Sequence, residues 1–249
     1  MMIGNMPQLL PPTFQSGELA PCEPFISQAE MSIDTLHVAC CQFDPRAYTP
    51  QLADQLGVVL PEALRHAVTK RQAEYVASRW LVSKLFETVG IHNFQLLNRP
   101  DRSPIWPTGI IGSLSHHDHK VFAVIDKRPK WVGNDIERIL SDQKAAELRT
   151  MIMTLEELTL LTTSGLSLSQ ATTLVFSIKE TVYKAVYPEV QTLFGFEQVT
   201  ITAIEPTLGL MTARLSAVAQ PKPNLEPEWN IHYWFNDTEV MSWVALAPL

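Results

Sequence analysis

Apolar residues recur at helical spacing in three stretches of the chain. In "LPEALRHAVTKRQAEYVASRWLVSKLFETVG" (60–90), Leu64, Val68, Val82, Leu85 and Val89 mark one helical face. Pro61 and Glu62 suit a first turn and Gly90 a C-terminal stop. Helical patterns also span about 141–163 and 168–187, the last carrying Leu174, Val175, Ile178, Val182 and Val186. Between them, "LHVACCQF" (36–43) reads as a buried strand and 110–126 as a strand, a polar turn and a second strand. The stretch 130–140 reads as a short strand ending in acidic residues, and 99–109 is a turn-rich loop. "VTITAI" (199–204) and "WNIHYWF" (229–235) carry the pattern of antiparallel strands. Helix then strands, followed by helices then strands, predicts two similarly built α+β halves joined near 126–131. Residues 1–35, rich in proline and polar side chains, are expected to be a loosely ordered lead-in.

Composition narrows the class. A chain of 249 residues with 46% hydrophobic and 18% charged residues has the make-up of a soluble globular protein with a sizeable core. A net charge of −7 lacks the basic footprint of a nonspecific nucleic-acid binder but leaves room for a local basic patch. Cys22, Cys40 and Cys41, odd in number and without zinc-finger spacing, suit reduced thiols and a cytoplasmic setting. No apolar run reaches the ~20 residues of a membrane span, and the N-terminus lacks the pattern of a signal peptide.

Three polar motifs could carry chemistry. In "GNDIE" (133–137), Asp135 and Glu137 are two apart on a strand and share a face, an arrangement that suits a hard cation such as Mg²⁺. Gly133 lets another chain or a ligand approach closely, while an exposed strand end with Arg138 as partner is the plainer reading. In "GSLSHHDH" (112–119), Ser115 and His116 could bind a phosphate, three histidines could bind zinc, or the turn could simply be exposed. In "FSIKETVYK" (176–184), Glu180 and Lys184 could form a surface pair worth only ~0.2–0.5 kcal/mol. A third carboxylate beside Asp135 and Glu137 would instead complete a magnesium site. Arg71 and Arg79 lie about 12 Å apart along a helix and about 80° around it, and could flank one groove or line a solvated face.

These motifs together resemble the 4′-phosphopantetheinyl transferases, in the monomeric, pseudo-dimeric kind of the enterobactin synthase component D type. The family signatures G-x-D-x-E and [FW]-[SC]-x-K-E-x-x-x-K read here as 133–137 and 176–184, with Asn134 in place of a small aliphatic residue. "FDP" (43–45), residues 60–79 and "DRSPIWPTGIIGSLSH" (101–116) agree as well, so the resemblance runs from about 42 to 188. It implies an α+β fold of two similar halves, 36–128 on the coenzyme A 3′-phosphate side and 129–249 on the Mg²⁺ and pyrophosphate side, with the active site at their interface.

The resemblance implies a Mg²⁺-dependent transfer, with Mn²⁺ as the alternative ion, of phosphopantetheine from coenzyme A to a serine of an apo carrier protein. Adenosine 3′,5′-bisphosphate would leave. Asp135, Glu137 and Glu180 would hold the metal. Lys184 would contact the pyrophosphate, with Lys179 nearby, and Glu180 would be the base, with Glu137 as second choice. Ser115 and His116 would bind the 3′-phospho-ADP end, clamped by Arg71 and Arg79, with Arg102 in a loop where relatives carry a basic contact. A monomer serving siderophore or nonribosomal-peptide synthesis is expected. The alternatives are a broad-specificity holo-acyl-carrier-protein synthase for fatty acids or polyketides, a noncatalytic coenzyme A binder, and a zinc hydrolase built on His116, His117 and His119.

Overall fold

The computed structural model describes residues 9–34, 36–128, 131–220 and 228–247. The chain divides into two compact units, Met1–Lys127 and Arg128–Leu249.

The first unit is a five-stranded antiparallel sheet with a long helix packed on it. Strands β1 (Gly17–Glu18), β2 (Ile26–Ile33), β3 (His37–Phe43), β4 (Ile111–His117) and β5 (Lys120–Asp126) lie in the order β1-β2-β3-β5-β4. The helices are α1 (Pro50–Gln55), α2 (Glu62–Arg65) and α3 (Thr69–Thr88). One face of β3 and β5 presents Ala39, Cys41, Val121, Ala123 and Ile125 to Val76, Trp80 and Leu81 of α3. Both faces of β3 are buried, which is why "HVACC" is a continuous apolar run and not an alternating one. The β4–β5 hairpin turns through Asp118 at φ 48°, a left-handed conformation that aspartate tolerates better than most residues.

Two sequence expectations change here. Residues 60–90 are not one helix: the chain is extended at Val68, and Gln72 caps the break by donating to the carbonyls of Arg65 and Ala67 at 3.2 and 2.9 Å. The loosely ordered lead-in is also corrected for its described part. Residues 9–34 supply β1 and β2, bury Leu9, Leu10, Phe25 and Ile26, and are pinned by Glu30, which accepts from the amides of Leu9 and Leu10 at 2.9 and 3.1 Å. Residues 1–8 and 35 lie outside the described residues.

The second unit holds β6 (Trp131–Arg138), β7 (Val199–Glu205), β8 (Leu210–Leu215), β9 (Glu228–Phe235) and β10 (Glu239–Leu246) in the order β6-β10-β9-β8-β7. Its helices are α4 (Asp142–Ile152), α5 (Leu155–Thr163) and α6 (Leu168–Val190). Each has a hydroxyl N-cap. Ser141 accepts from Lys144, and Thr154 with Glu157 and Ser167 with Gln170 form capping boxes. Helix α6 lies across β6 and β10, with Leu174, Val175, Ile178, Val182 and Val186 buried in the core. Its far end is tied to the sheet by Trp131, whose indole donates to Glu189 at 3.0 Å.

Candidate functional site

Gly133 sets how closely α6 can meet β6. A Cβ there would fall 2.0 Å from the carbonyl oxygen of Thr181 and 3.0 Å from the Ala185 side chain, so only glycine allows this approach. The close chain that glycine admits is therefore the protein's own helix. Alternation along β6 then puts Asp135 and Glu137 on the helix-facing side, while Asn134 and Ile136 are buried on the other. Two residues of strand rise ~6.6 Å and four residues of helix rise ~6 Å, so side chains at i and i+2 of β6 keep step with i and i+4 of α6.

The result is a charged cluster inside the second unit. Lys184 donates to Asp135 Oδ1 at 2.6 Å, with Asp135 only 2% exposed and Lys184 26%. Burial pushes the Glu180 carboxyl above the usual carboxylate range; the Lys184 ammonium pulls it down, and the charges of Asp135 and Glu137 push it up. Glu180 thus feels all three of its expected partners. Behind Asp135, its cross-strand neighbour Ser242 holds the helix: its hydroxyl lies 2.8 Å from that of Ser177 and 2.6 Å from that of Thr181.

Three carboxylates with one ammonium are a hard-oxygen donor set of the kind Mg²⁺ takes. Among the described residues, no group of three or more His, Cys, Asp or Glu side chains is already drawn together on a metal position. The Lys184 ammonium supplies the compensating charge at Asp135. The donor chemistry fits a divalent cation, provided that the Glu137 and Glu180 side chains swing in.

Glu180 has a second, apolar side. It borders a cleft of about 140 Å³ lined by Lys179, Tyr183, Leu193, Phe194, Gly195, Phe196 and Val199. Tyr183 meets Phe194 edge-on at 5.1 Å, and Phe196 packs against Phe176 at 5.6 Å. Sequence reading missed this cleft, because its far wall comes from the irregular segment after α6.

Lys179, expected near the pyrophosphate, is paired away from the carboxylate cluster. It is 3% exposed and paired with Glu157, itself 1% exposed, at 2.9 Å. Its ammonium also donates to the Ile152 carbonyl at 2.9 Å. One residue along a helix is a turn of about 100°, enough to send Lys179 into the core while Glu180 faces the carboxylates. Glu157 was visible in the sequence only as a cap of the T-x-x-E kind.

A basic cluster forms in the first unit. Arg71 Nη1 lies 3.3 Å from His116 Nε2 and 3.3 Å from Glu74 Oε2, with Arg71 half-buried and His116 exposed. The structure separates Ser115 from His116, correcting the expectation that they act together: strand alternation buries the Ser115 hydroxyl on the opposite face of β4.

Arg79, expected to clamp the phosphate end with Arg71, is held largely inside the first unit. It is 9% exposed and stacks over the Tyr75 ring at 4.3 Å. It donates to the Leu96 carbonyl at 2.8 Å, to Ser78 at 3.0 Å and to the Asn98 side chain. It therefore anchors the base of the loop whose tip carries exposed Arg102, at φ 73°. Burial lowers the Arg79 pKa and the Arg71 charge lowers it further. Two cations within range of each other are a setting that an anion would relieve. The three histidines of the turn do not converge: His116 meets Arg71, His117 meets Asp118 at 3.2 Å, and His119 lies edge-on to Phe43.

The family model of the 4′-phosphopantetheinyl transferase N-terminal domain matches residues 60–126. That of the 4′-phosphopantetheinyl transferase superfamily matches residues 131–233. Enterobactin synthase component D of Salmonella typhi is 36% identical over 177 residues, 71% of this chain and 74% of that protein. The protein of the same name from Escherichia coli K12 is 37% identical over 162 residues, 65% and 74% of the two chains. The 4′-phosphopantetheinyl transferase PptT of Mycobacterium tuberculosis is 28% identical over 168 residues, 64% and 72%.

Proposed function

Since the chain belongs to the 4′-phosphopantetheinyl transferase superfamily, and so transfers phosphopantetheine from coenzyme A to carrier proteins, we propose that its acceptor is a carrier domain of a siderophore-type nonribosomal-peptide synthase. The likeness to enterobactin synthase component D from several sources supports this choice of pathway. A cytoplasmic monomer is the setting we infer. Its three cysteines are free, and among the described residues no helix is long and apolar enough to cross a membrane.

Asp135, Glu137 and Glu180 would hold Mg²⁺, which when bound neutralises charge on the pyrophosphate of coenzyme A. Lys184, moving from Asp135 to the phosphate oxygens, adds a mobile positive charge where charge builds up. Glu180, set beside Asp135, Glu137 and Lys184, would take the proton of the acceptor serine. The serine oxygen then bonds to the β-phosphorus, the bond to the leaving oxygen breaks, and adenosine 3′,5′-bisphosphate departs. The cleft beside Glu180 has the apolar lining and the position to take the pantetheine arm. Arg71 and His116 would bind the 3′-phosphate, Arg79 supporting them from below, and Arg102 offers a further positive charge.

The observation that carries this reading is the Lys184–Asp135 ion pair at 2.6 Å, which joins the helix signature to the strand signature. The experiment compares kcat/KM on purified apo carriers of three kinds: aryl, peptidyl and fatty-acid. A preference for aryl and peptidyl carriers is expected. Equal or better rates on the fatty-acid carrier would favour the broad-specificity synthase instead.

A further inference from the structure

Lys179 and Glu157 form a buried ion pair that the transfer chemistry does not touch. The ammonium donates to the Ile152 carbonyl at 2.9 Å and to Glu157 Oε2 at 3.1 Å, and Glu157 Oε1 lies 2.9 Å from it in the ion pair. The carboxylate is equally committed. It accepts from the Thr154 amide at 2.7 Å and from the Ile201 amide at 2.7 Å, the first residue at the start of α5 and the second in β7. One side chain of α6 is therefore fastened to three elements at once: the end of α4, the start of α5 and a strand of the sheet.

The fastening sits immediately beside Glu180. Residues 179 and 180 differ by about 100° around the helix, so fixing the first fixes where the second points. A helix with side chains reaching about 5–6 Å from its axis moves their tips by about 1 Å for every 10° of rotation. Apolar packing alone resists such rolling poorly, because Leu174, Ile178 and Val182 find similar contacts after a small turn. A pair of buried charges does not, since every lost hydrogen bond leaves a charge uncompensated. Misplacement of a reacting group by about 1 Å can cost about 100-fold in rate.

We propose that Lys179 and Glu157 are a positioning pair, which fixes the rotation of α6 so that Glu180 and Lys184 meet Asp135 and Glu137. This rests on the function proposed above and adds to it a buried pair that holds no metal and takes no part in moving the proton or the phosphoryl group. Replacing both charges by apolar side chains keeps the fold and lets the helix roll.

The test is the double variant Lys179→Met/Glu157→Leu beside wild type and each single variant. Three quantities are read: thermal midpoint, kcat with its KM for coenzyme A, and Mn²⁺ affinity measured by electron paramagnetic resonance on the protein alone. The double variant should melt at or above the single variants. Its kcat should fall at least about 10-fold and its Mn²⁺ binding weaken several-fold, while KM for coenzyme A stays within about 2-fold. A folded double variant with wild-type kcat and Mn²⁺ affinity overturns the proposal. If the double variant does not fold, Glu157→Asp keeps both charges and shifts the pair by one methylene; wild-type kcat and Mn²⁺ affinity there overturn the proposal equally. Failure of wild type itself to transfer with any carrier strikes the underlying reading and the proposal with it. Transfer by wild type alongside an unaffected variant strikes the proposal alone.

Discussion

Gly133 of β6 and Thr181 of α6 are in such close approach that a Cβ on the glycine would lie 2.0 Å from the threonine carbonyl oxygen. That contact brings the two signature segments, 133–137 and 176–184, to one place. The carboxylates of the strand and the Glu–Lys pair of the helix become a single cluster because nothing stands between their backbones.

Gly133→Ala is therefore expected to damage the site beyond its cost to the fold. Overpacking typically costs about 1–3 kcal/mol, which for a domain of this size lowers the melting temperature by several degrees. The site should lose more, with kcat falling about 10-fold or further as α6 is pushed outward. Thermal denaturation and steady-state kinetics on one preparation separate the two effects.

Lys184→Ala leaves the Asp135 carboxylate 2% exposed without its ammonium. Both stability and transfer should drop, the rate by about 100-fold or more, as when one electrostatic stabiliser of a transition state is removed. Adding Asp135→Asn should recover much of the melting temperature and none of the activity. Recovery of both would make the pair merely structural.

Glu180 ties stability and activity to pH in opposite senses. Its folded pKa is raised, so between the unfolded and folded values the native state binds more protons than the unfolded chain. Its contribution to stability is present at the acid end of that window and is lost as pH rises through the folded value. As a base it works only above the folded value. Glu180→Gln should hence melt higher than wild type at neutral pH, in metal-free buffer, while transferring at least about 100-fold more slowly. In the same metal-free buffer, the pH at which this stability is lost should move up in Lys184→Ala, which loses the charge that lowers the Glu180 pKa, and down in Glu137→Gln, which loses one that raises it.

The two arginines of α3 should separate cleanly. Arg71→Ala, at a position whose side chain is 42% exposed, should raise KM for coenzyme A about 5- to 30-fold with little change in melting temperature. Arg79→Ala strands the Leu96 carbonyl and the Asn98 side chain and should cost about 2–4 kcal/mol of stability. Melting curves and coenzyme A titrations of both variants check this.

Much of the site was legible because its signals are local. A two-residue strand spacing fixes that Asp135 and Glu137 share a face, and an i, i+4 helix spacing fixes that Glu180 and Lys184 do. What the sequence could not convey is where each face points. Lys179 sits in the same signature as Glu180 and carries the same charge as Lys184, yet its direction depends on α5 and β7, which lie far away along the chain. Ser115 and His116 sit side by side in a motif that suits a phosphate, yet neighbours on a strand face opposite ways. The burial of Arg79 follows from the loop that folds over it, and the order of residues 9–34 from Glu30, whose backbone partners are about twenty residues away. The main helices and several strands were plain from apolar periodicity; β1, β2 and α1 were not, nor was the break at Val68, which no glycine or proline marks.

The most direct measurement is the intact mass of an apo aryl or peptidyl carrier after incubation with the protein, coenzyme A and Mg²⁺, beside a matched sample containing chelator and one containing Asp135→Asn. The account predicts the phosphopantetheine adduct on the carrier serine with wild type, none with chelator, restoration by added Mg²⁺ or Mn²⁺, and little or none with Asp135→Asn. Full conversion with chelator present, or by Asp135→Asn at the wild-type rate, would contradict the assignment of the transfer centre to the β6–α6 cluster.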